Sequence, residues 1–226
     1  MNLGAWTSYS LSDFLLFSDI VYWRLLAAYN EAMWPAQLAL VLAGLGMIAG
    51  LVRTGRWQSR AVVLGLAVLW GWVAWGFFDQ RYQTINWAAA YMVPVFGGQA
   101  VFLAVAALWP TPPRLAASAE PGTISLIILA FAVLIYPMLA PAGGRSWASG
   151  EVFGLSPDPT AVATLAVIAC WHHPMRWLFA AVPLLWSLAT GLTLYTLGAP
   201  HFFAAPVLAF GALVAAALPT VNRPAA

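Results

Sequence analysis

Polar side chains are scarce in this chain and fall into a few clusters, so chemistry has few places to sit. The densest cluster is Tyr29-Asn30-Glu31-Ala-Met-Trp34-Pro35-Ala-Gln37. Asn30, Trp34 and Gln37 follow i, i+4, i+7 spacing and share one face of a helix that begins before them. Two readings stand side by side. One is an interfacial anchor with capping groups. The other is an outer vestibule in which Glu31 binds a cation or a proton, since an ionisable group at membrane depth marks a site. A second cluster is Gly154-Leu-Ser-Pro-Asp158-Pro159-Thr160, with Thr164 one turn later. Asp158 reads as an N-cap and Pro159 as the first helical residue. The functional alternative makes Asp158 a second acidic ligand beside Glu31, at the start of a Pro-interrupted span that reaches mid-depth. A third cluster is Phe77-Phe-Asp79-Gln-Arg81, followed by Asn86-Trp87, in which Asp79 and Arg81 are placed to pair. Gln99 lies inside an apolar run and needs an interhelical partner. Ser187, Thr190 and Thr193 either find such partners or bond back to their own helix.

Other chemistries lack their residues. There is no Lys, which excludes a lysine Schiff base. His172 and His173 are adjacent and point apart on a helix, and His201 belongs to the opposite side. No metal or haem ligand spacing results, and no metal or cofactor is expected. Neither a Gly-rich phosphate loop nor a GxSxG elbow occurs. The lone Cys170 permits no internal disulfide. A net charge of +2 is too small for a nucleic-acid partner. Met1 to Tyr9 carries no basic region or cleavage pattern of a signal peptide.

The elements that position these clusters follow from composition. Of 226 residues, 63% are apolar and 7% charged, and the mean hydropathy is +0.84. That excludes a soluble domain, in which about a quarter of residues are charged. The apolar surplus suffices for about seven spans of about 20 residues. Seven runs match this expectation: 34–52, 61–78, 87–109, 123–140, 159–171, 177–197 and 202–219. The fifth covers only about 20 Å at 1.5 Å per residue and reads as a broken or late-starting span. Residues 10–29 carry charges at Asp13, Asp19 and Arg24 among Phe14, Phe17, Val21 and Leu25. They read as two short interfacial amphipathic helices. The expected fold is all-α, a single membrane domain over 1–226, with 1–30 interfacial and 31–226 a seven-span bundle. The Pro-rich stretch 111–122 is its most linker-like part.

Charge sets the orientation. Arg53, Arg56, Arg60, Arg114, Arg176 and Arg223 fall on one side, Arg24, Arg81 and Arg145 on the other. The richer side is expected in the cytoplasm. The N-terminus is then outside and the C-terminus inside. Asp13, Asp19, Glu31, Asp79, Glu151 and Asp158 fall outside and Glu120 inside. Trp34, Trp87 and Trp147 mark outer ends, and Trp57, Trp109, Trp171 and Trp177 inner ends, as indoles prefer the headgroup level. Trp70, Trp72, Trp75 and Trp186 lie deeper.

Several segments together resemble a known family. They are Asp13-Phe-Leu-Leu-Phe-Ser18, Tyr22-Trp-Arg24-Leu, Tyr29-Asn30, Trp34-Pro35, Ile85-Asn86-Trp87-Ala-Ala, Asp158-Pro159-Thr160-Ala-Val-Ala-Thr164 and Val182-Pro183-Leu-Leu-Trp186. In order and spacing they are similar to bacterial multi-pass inner-membrane proteins known only as domain of unknown function 6064. The resemblance covers nearly the whole chain. It implies a bacterial inner-membrane location and transfers no catalytic residue. The leading functional expectation is a small-solute or ion permease in the lipid bilayer. Its outer-facing polar cavity would be lined by Asn30, Glu31, Trp34, Gln37, Asp79, Asn86, Asp158 and Thr160. The alternatives are a non-transporting subunit or sensor that docks a partner, and an intramembrane enzyme or cofactor holder.

Overall fold

The computed structural model describes residues 15–53, 55–110, 115, 120–171 and 173–218, and these are all-helical. Asp13, Arg114, His172 and Arg223 lie outside the described residues, as does the side chain of Glu120. In chain order the helices are α1 (Asp19–Ala32), α2 (Ala36–Val52), α3 (Arg56–Trp72), α4 (Met92–Leu108), α5 (Glu120–Ala130), the single turn α6 (Leu139–Ala142), α7 (Pro157–Ala169), α8 (Arg176–Thr196) and α9 (Ala204–Ala217). α3 runs on as a π-helix over Val73–Asp79. α5 runs on as a π-helix over Phe131–Ile135 and a 3-10 turn over Tyr136–Met138.

Each apolar run forms a helix, but the expected count of seven full spans is corrected. Among the described residues, four stretches are long and apolar enough to cross a membrane: Arg56–Thr84, Trp87–Leu108, Gly122–Ala142 and Arg176–Thr196. α1 and α2 add a fifth only as a pair bent by 87°. The bend falls at Met33 to Pro35, where Pro35 has no N–H to continue the ladder. α7 and α9, with 13 and 14 residues, are shorter than the hydrocarbon of a bilayer, about 30 Å.

α1 is one helix over its described part, with Ser18 extended at its N-cap and Asp19 in its first turn, where the helix dipole favours an anion. Its buried stripe is Tyr22, Leu26, Tyr29 and Asn30. Val21 lies off that stripe and is exposed. Hydroxyl and amide groups face inward because polar partners await them there.

α7 is the centre of the bundle. All thirteen of its residues are buried, and it packs against α8, α9, α5 and α3. Ala161, Ala163 and Ala166 on α7 and Ala205, Ala209 and Ala212 on α9 are buried small residues of the kind that lets helices approach closely. The chain enters α7 through a non-helical, almost wholly buried segment, 150–156. Irregular backbone at membrane depth is tolerated only when protein covers it. Gly154 makes the turn at φ +80°, and a Cβ there would meet the side chains of Leu40 at 2.8 Å and Leu69 at 2.9 Å.

The bundle has two chemically distinct ends. At one, Arg60 donates to the Trp109 carbonyl (2.9 Å) and Arg56 to that of Pro110, and Arg176 donates to the Ala216 carbonyl (2.7 Å). Ser59 accepts from the Leu115 amide, and Leu115 bridges to Trp171. At the other end stand α1, Arg81, Arg145, Glu151 and His201. Between them, α2, α4, α8 and α9 turn Leu, Val and Phe side chains outward, a surface suited to hydrocarbon.

Pro183 lies inside α8 and cannot donate to the Phe179 carbonyl one turn back. Gln99 of α4 does so instead, Nε2 to oxygen at 2.9 Å. Gln99 thus has the interhelical partner its burial requires. Thermal unfolding in detergent should find Gln99→Leu destabilised by about 1–2 kcal/mol. Gly154→Ala should lose at least as much, since left-handed backbone alone costs an L-residue about 1–2 kcal/mol.

Candidate functional site

Glu151, in the segment leading into α7, and Asp158, in the first turn of α7, are both buried. Their carboxyl groups lie within hydrogen-bonding reach of each other. Ser156 is the N-cap of α7 and Pro157 its first residue. The reading of Asp158 as a cap is therefore corrected: its side chain leaves its own helix and turns to α8. Oδ1 accepts from Trp186 Nε1 at 2.7 Å, and Oδ2 accepts from Thr190 Oγ1 at 2.7 Å. Trp186 stands at the midpoint of α8, so the pair lies below the end of that helix.

Glu151 faces the other way. Tyr22 of α1 donates to its Oε1 at 3.4 Å, and His201 Nε2 stands 4.0 Å from its Oε2. Arg145 Nη2 donates to that same His201 nitrogen at 3.0 Å, which puts the imidazole hydrogen on Nδ1. The guanidinium sits 3.6 Å above the Trp23 ring, a cation–π contact. Two adjacent carboxyls in low dielectric do not both ionise. Asp158 accepts two short hydrogen bonds, whereas Glu151 accepts one long one from Tyr22. Burial and then Arg145 push His201 down to about 4, so it is neutral.

Further groups frame the pair. The Tyr136 hydroxyl, at the end of the π-helix, is buried without a hydrogen-bond partner and lies within electrostatic reach of both carboxyls. Below Asp158, Trp186 meets Phe78 and Phe96 edge-on at 5.1 and 5.3 Å. Trp70 packs on Phe96 at 4.5 Å and donates to Thr164 at 2.8 Å. Among the described residues no group of three or more His, Cys, Asp or Glu could hold a metal ion.

The eight residues expected to line the site do not converge. Asp158 belongs to it. Asn30 supports it, donating to the carbonyls of Ala148 (2.6 Å) and Gly150 (2.7 Å) just before Glu151. Thr160 is structural: its hydroxyl donates to the Ser156 carbonyl and accepts from Gly154 N–H, locking the entry turn. Gln37 lies beyond the bend and donates to the Asn30 carbonyl at 2.7 Å, so Asn30, Trp34 and Gln37 share no face. Glu31 and Trp34 are exposed. Asp79 accepts from Gln80 and Gln83, while Arg81 donates to the Gly76 carbonyl and stacks over Tyr29. Asn86 caps the turn at Ala88. Sequence reasoning missed Glu151, Tyr22, Tyr136, Arg145, His201, Trp186 and Thr190 as members of one site. The signal available was Glu151 and Asp158 flanking the Gly154 turn, seven positions apart. Of Ser187, Thr190 and Thr193 in α8, the first and last bond back to their own helix and Thr190 crosses over.

A family model described as a family of unknown function, DUF6064, matches residues 19–224. The chain belongs to that family. The match takes in α1 through α9 and every residue of the carboxyl site. No curated protein and no solved structure matches this DUF6064 member significantly.

The neutral His201 makes a pH dependence. An exposed histidine binds its proton near 6.5, and His201 in the folded protein only near 4. Between these values the unfolded chain binds more protons, so stability falls as pH falls. Melting curves in detergent should show that limb for the parent protein, worth up to about 3 kcal/mol, and His201→Gln should flatten it.

Proposed function

We propose that this DUF6064 member is a bacterial inner-membrane permease for a small solute or ion, with the Glu151–Asp158 pair as its working centre. One observation carries the reading: two carboxyl groups are buried together where a broken span begins, against the middle of α8. Ionisable groups at membrane depth are costly and mark substrate or ion pathways. Discontinuous helices that end at mid-depth build such sites in transporters. The pathway opens at the α1 end, through the half-buried Arg145 and Trp23, rather than through the exposed Glu31.

Seven elements then cross or enter the bilayer: α2, α3, α4, α5, α7, α8 and α9. α7 is completed by the buried segment 150–156, and α1 lies along the outer interface at its 87° angle to α2. Arg53, Arg56, Arg60 and Arg176 at one end support a cytoplasmic assignment of that end. The N-terminus is then outside and the C-terminus cytoplasmic.

Two experiments test this. Proteoliposomes carrying the full chain should pass at least one of glycerol, urea, Na⁺, K⁺ or protons faster than empty vesicles. Asp158→Asn should cut that rate about tenfold or more, a barrier change of roughly 1.4 kcal/mol. Equal rates for parent and variant, or no passage of any probe, would overturn the reading. For orientation, Gln58→Cys and Ala142→Cys are each placed in a Cys170→Ala background. An impermeant maleimide applied to intact cells should label the Ala142 variant and spare the Gln58 variant; the reverse pattern inverts the topology.

A further inference from the structure

We propose that the Glu151–Asp158 pair, closed off by the Tyr136 hydroxyl, is a site for one exchangeable proton. The inference rests on the transport reading above in one respect only: it names the proton as the ion that the site handles.

Charge balance points to a single positive charge on the pair. Both carboxyl groups are buried, and Arg145 is the cation that acts on Glu151. With one proton bound, the pair carries one negative charge against the one positive charge of Arg145. With none, a second buried negative charge stands uncompensated. With two, the Arg145 charge does. His201 adds no charge, because its Nε2 accepts from Arg145. The other titratable groups that face the pair are Tyr22, Tyr82 and Tyr136, neutral hydroxyls contributed by α1, the 3-10 turn Tyr82–Thr84 and the end of the π-helix. A divalent cation on the pair would bring the same excess as two protons.

Tyr136 supplies the independent observation. Its hydroxyl is almost wholly buried, has no hydrogen-bond partner among the described residues and lies within electrostatic range of both carboxyls. A buried hydroxyl without a partner costs about 1–3 kcal/mol, and such exceptions ask for a reason. The proton cycle gives one. While Glu151 holds its proton, both Asp158 oxygens are engaged by Trp186 and Thr190, and Tyr136 has nothing to do. When the Glu151 O–H bond breaks and the proton passes to water at the α1 end, a carboxylate oxygen is freed. The waiting Tyr136 O–H then donates to it. Reloading takes a proton from water and releases that donor again. The oxygen–hydrogen count closes in both directions, and no other reactant is needed.

Infrared spectroscopy of the full chain in liposomes, through a pH series, reads this directly in the C=O stretch of a protonated carboxyl. One such band should be present at neutral pH and disappear in Glu151→Gln. Tyr136→Phe should keep the band. Without the waiting donor the ionised state is less favoured, so its titration should move up by about one pH unit, the worth of one hydrogen bond. A parent protein with no protonated carboxyl at neutral pH would overturn the proposal. So would a band that survives Glu151→Gln, or a titration that Tyr136→Phe leaves in place. Should Glu151→Gln fail to fold, the Tyr136→Phe titration decides alone. The expected band and shift in a protein that passes no probe would keep the proton site and sink the transport reading. Probe passage without the band would do the opposite.

Discussion

Two carboxyl groups removed from water side by side form the constraint around which the bundle is arranged. Each buried ion costs several kcal/mol before compensation, and two neighbouring negative charges repel. The protein answers with two donors from α8, one from Tyr22, and the Arg145 guanidinium beyond Glu151. These partners come from α8, α1 and the loop before Glu151. α1 has to fold back over the site, the loop carrying Arg145 has to stack on Trp23, and α8 has to cross α7 in one register. Hydrophobic contact between helices in lipid fixes no such register, because hydrocarbon tails serve as well as leucine.

Local backbone departures bring these groups together. α7 begins inside the bundle, so Asp158 is delivered to mid-depth by a helix start and not by a charge in an unbroken span. The entry turn at Gly154 is closed by Thr160, whose hydroxyl both donates and accepts. The two π-helical stretches, Val73–Asp79 and Phe131–Ile135, bring Phe78 and Tyr136 to the borders of the site. Such π segments are frequent near functional positions because they shift side-chain phase without ending the helix.

The helices were legible in the sequence because hydrocarbon-length apolar runs are a local signal, and the segregation of Arg and Trp to helix ends is another. Asp158 stood out through its prolines, and Gln99 through its burial in an apolar run. The rest of the site was illegible for a physical reason. Asn30 meets Ala148 across 118 positions, and Tyr22 meets Glu151 across 129. Contacts of that range leave no mark on spacing in a single chain. Glu151 sits in an aperiodic stretch, so nothing local distinguished it from a solvated loop acid. Glu31 drew attention because it neighbours Asn30 in sequence, but on a helix adjacent residues face about 100° apart. Asn30 turned inward and Glu31 to solvent. The inward face of α1 carries Tyr22 and Asn30, groups that serve a polar centre, so apolar spacing alone could not mark it.

The joint between Pro183 and Gln99 bears on motion. A proline inside a helix is where that helix bends most readily, and Gln99 ties the freed carbonyl to α4. α8 is thereby divided into an anchored half, with Arg176 fastened to the end of α9, and a half beyond the proline that holds Trp186 and Thr190. A tilt of that second half about the α4 tether would carry both donors away from Asp158 at once, while leaving the arginine end at rest. The same proline that interrupts the ladder thus sets where a bend in α8 would act, and the Asp158 contacts are what such a bend would break.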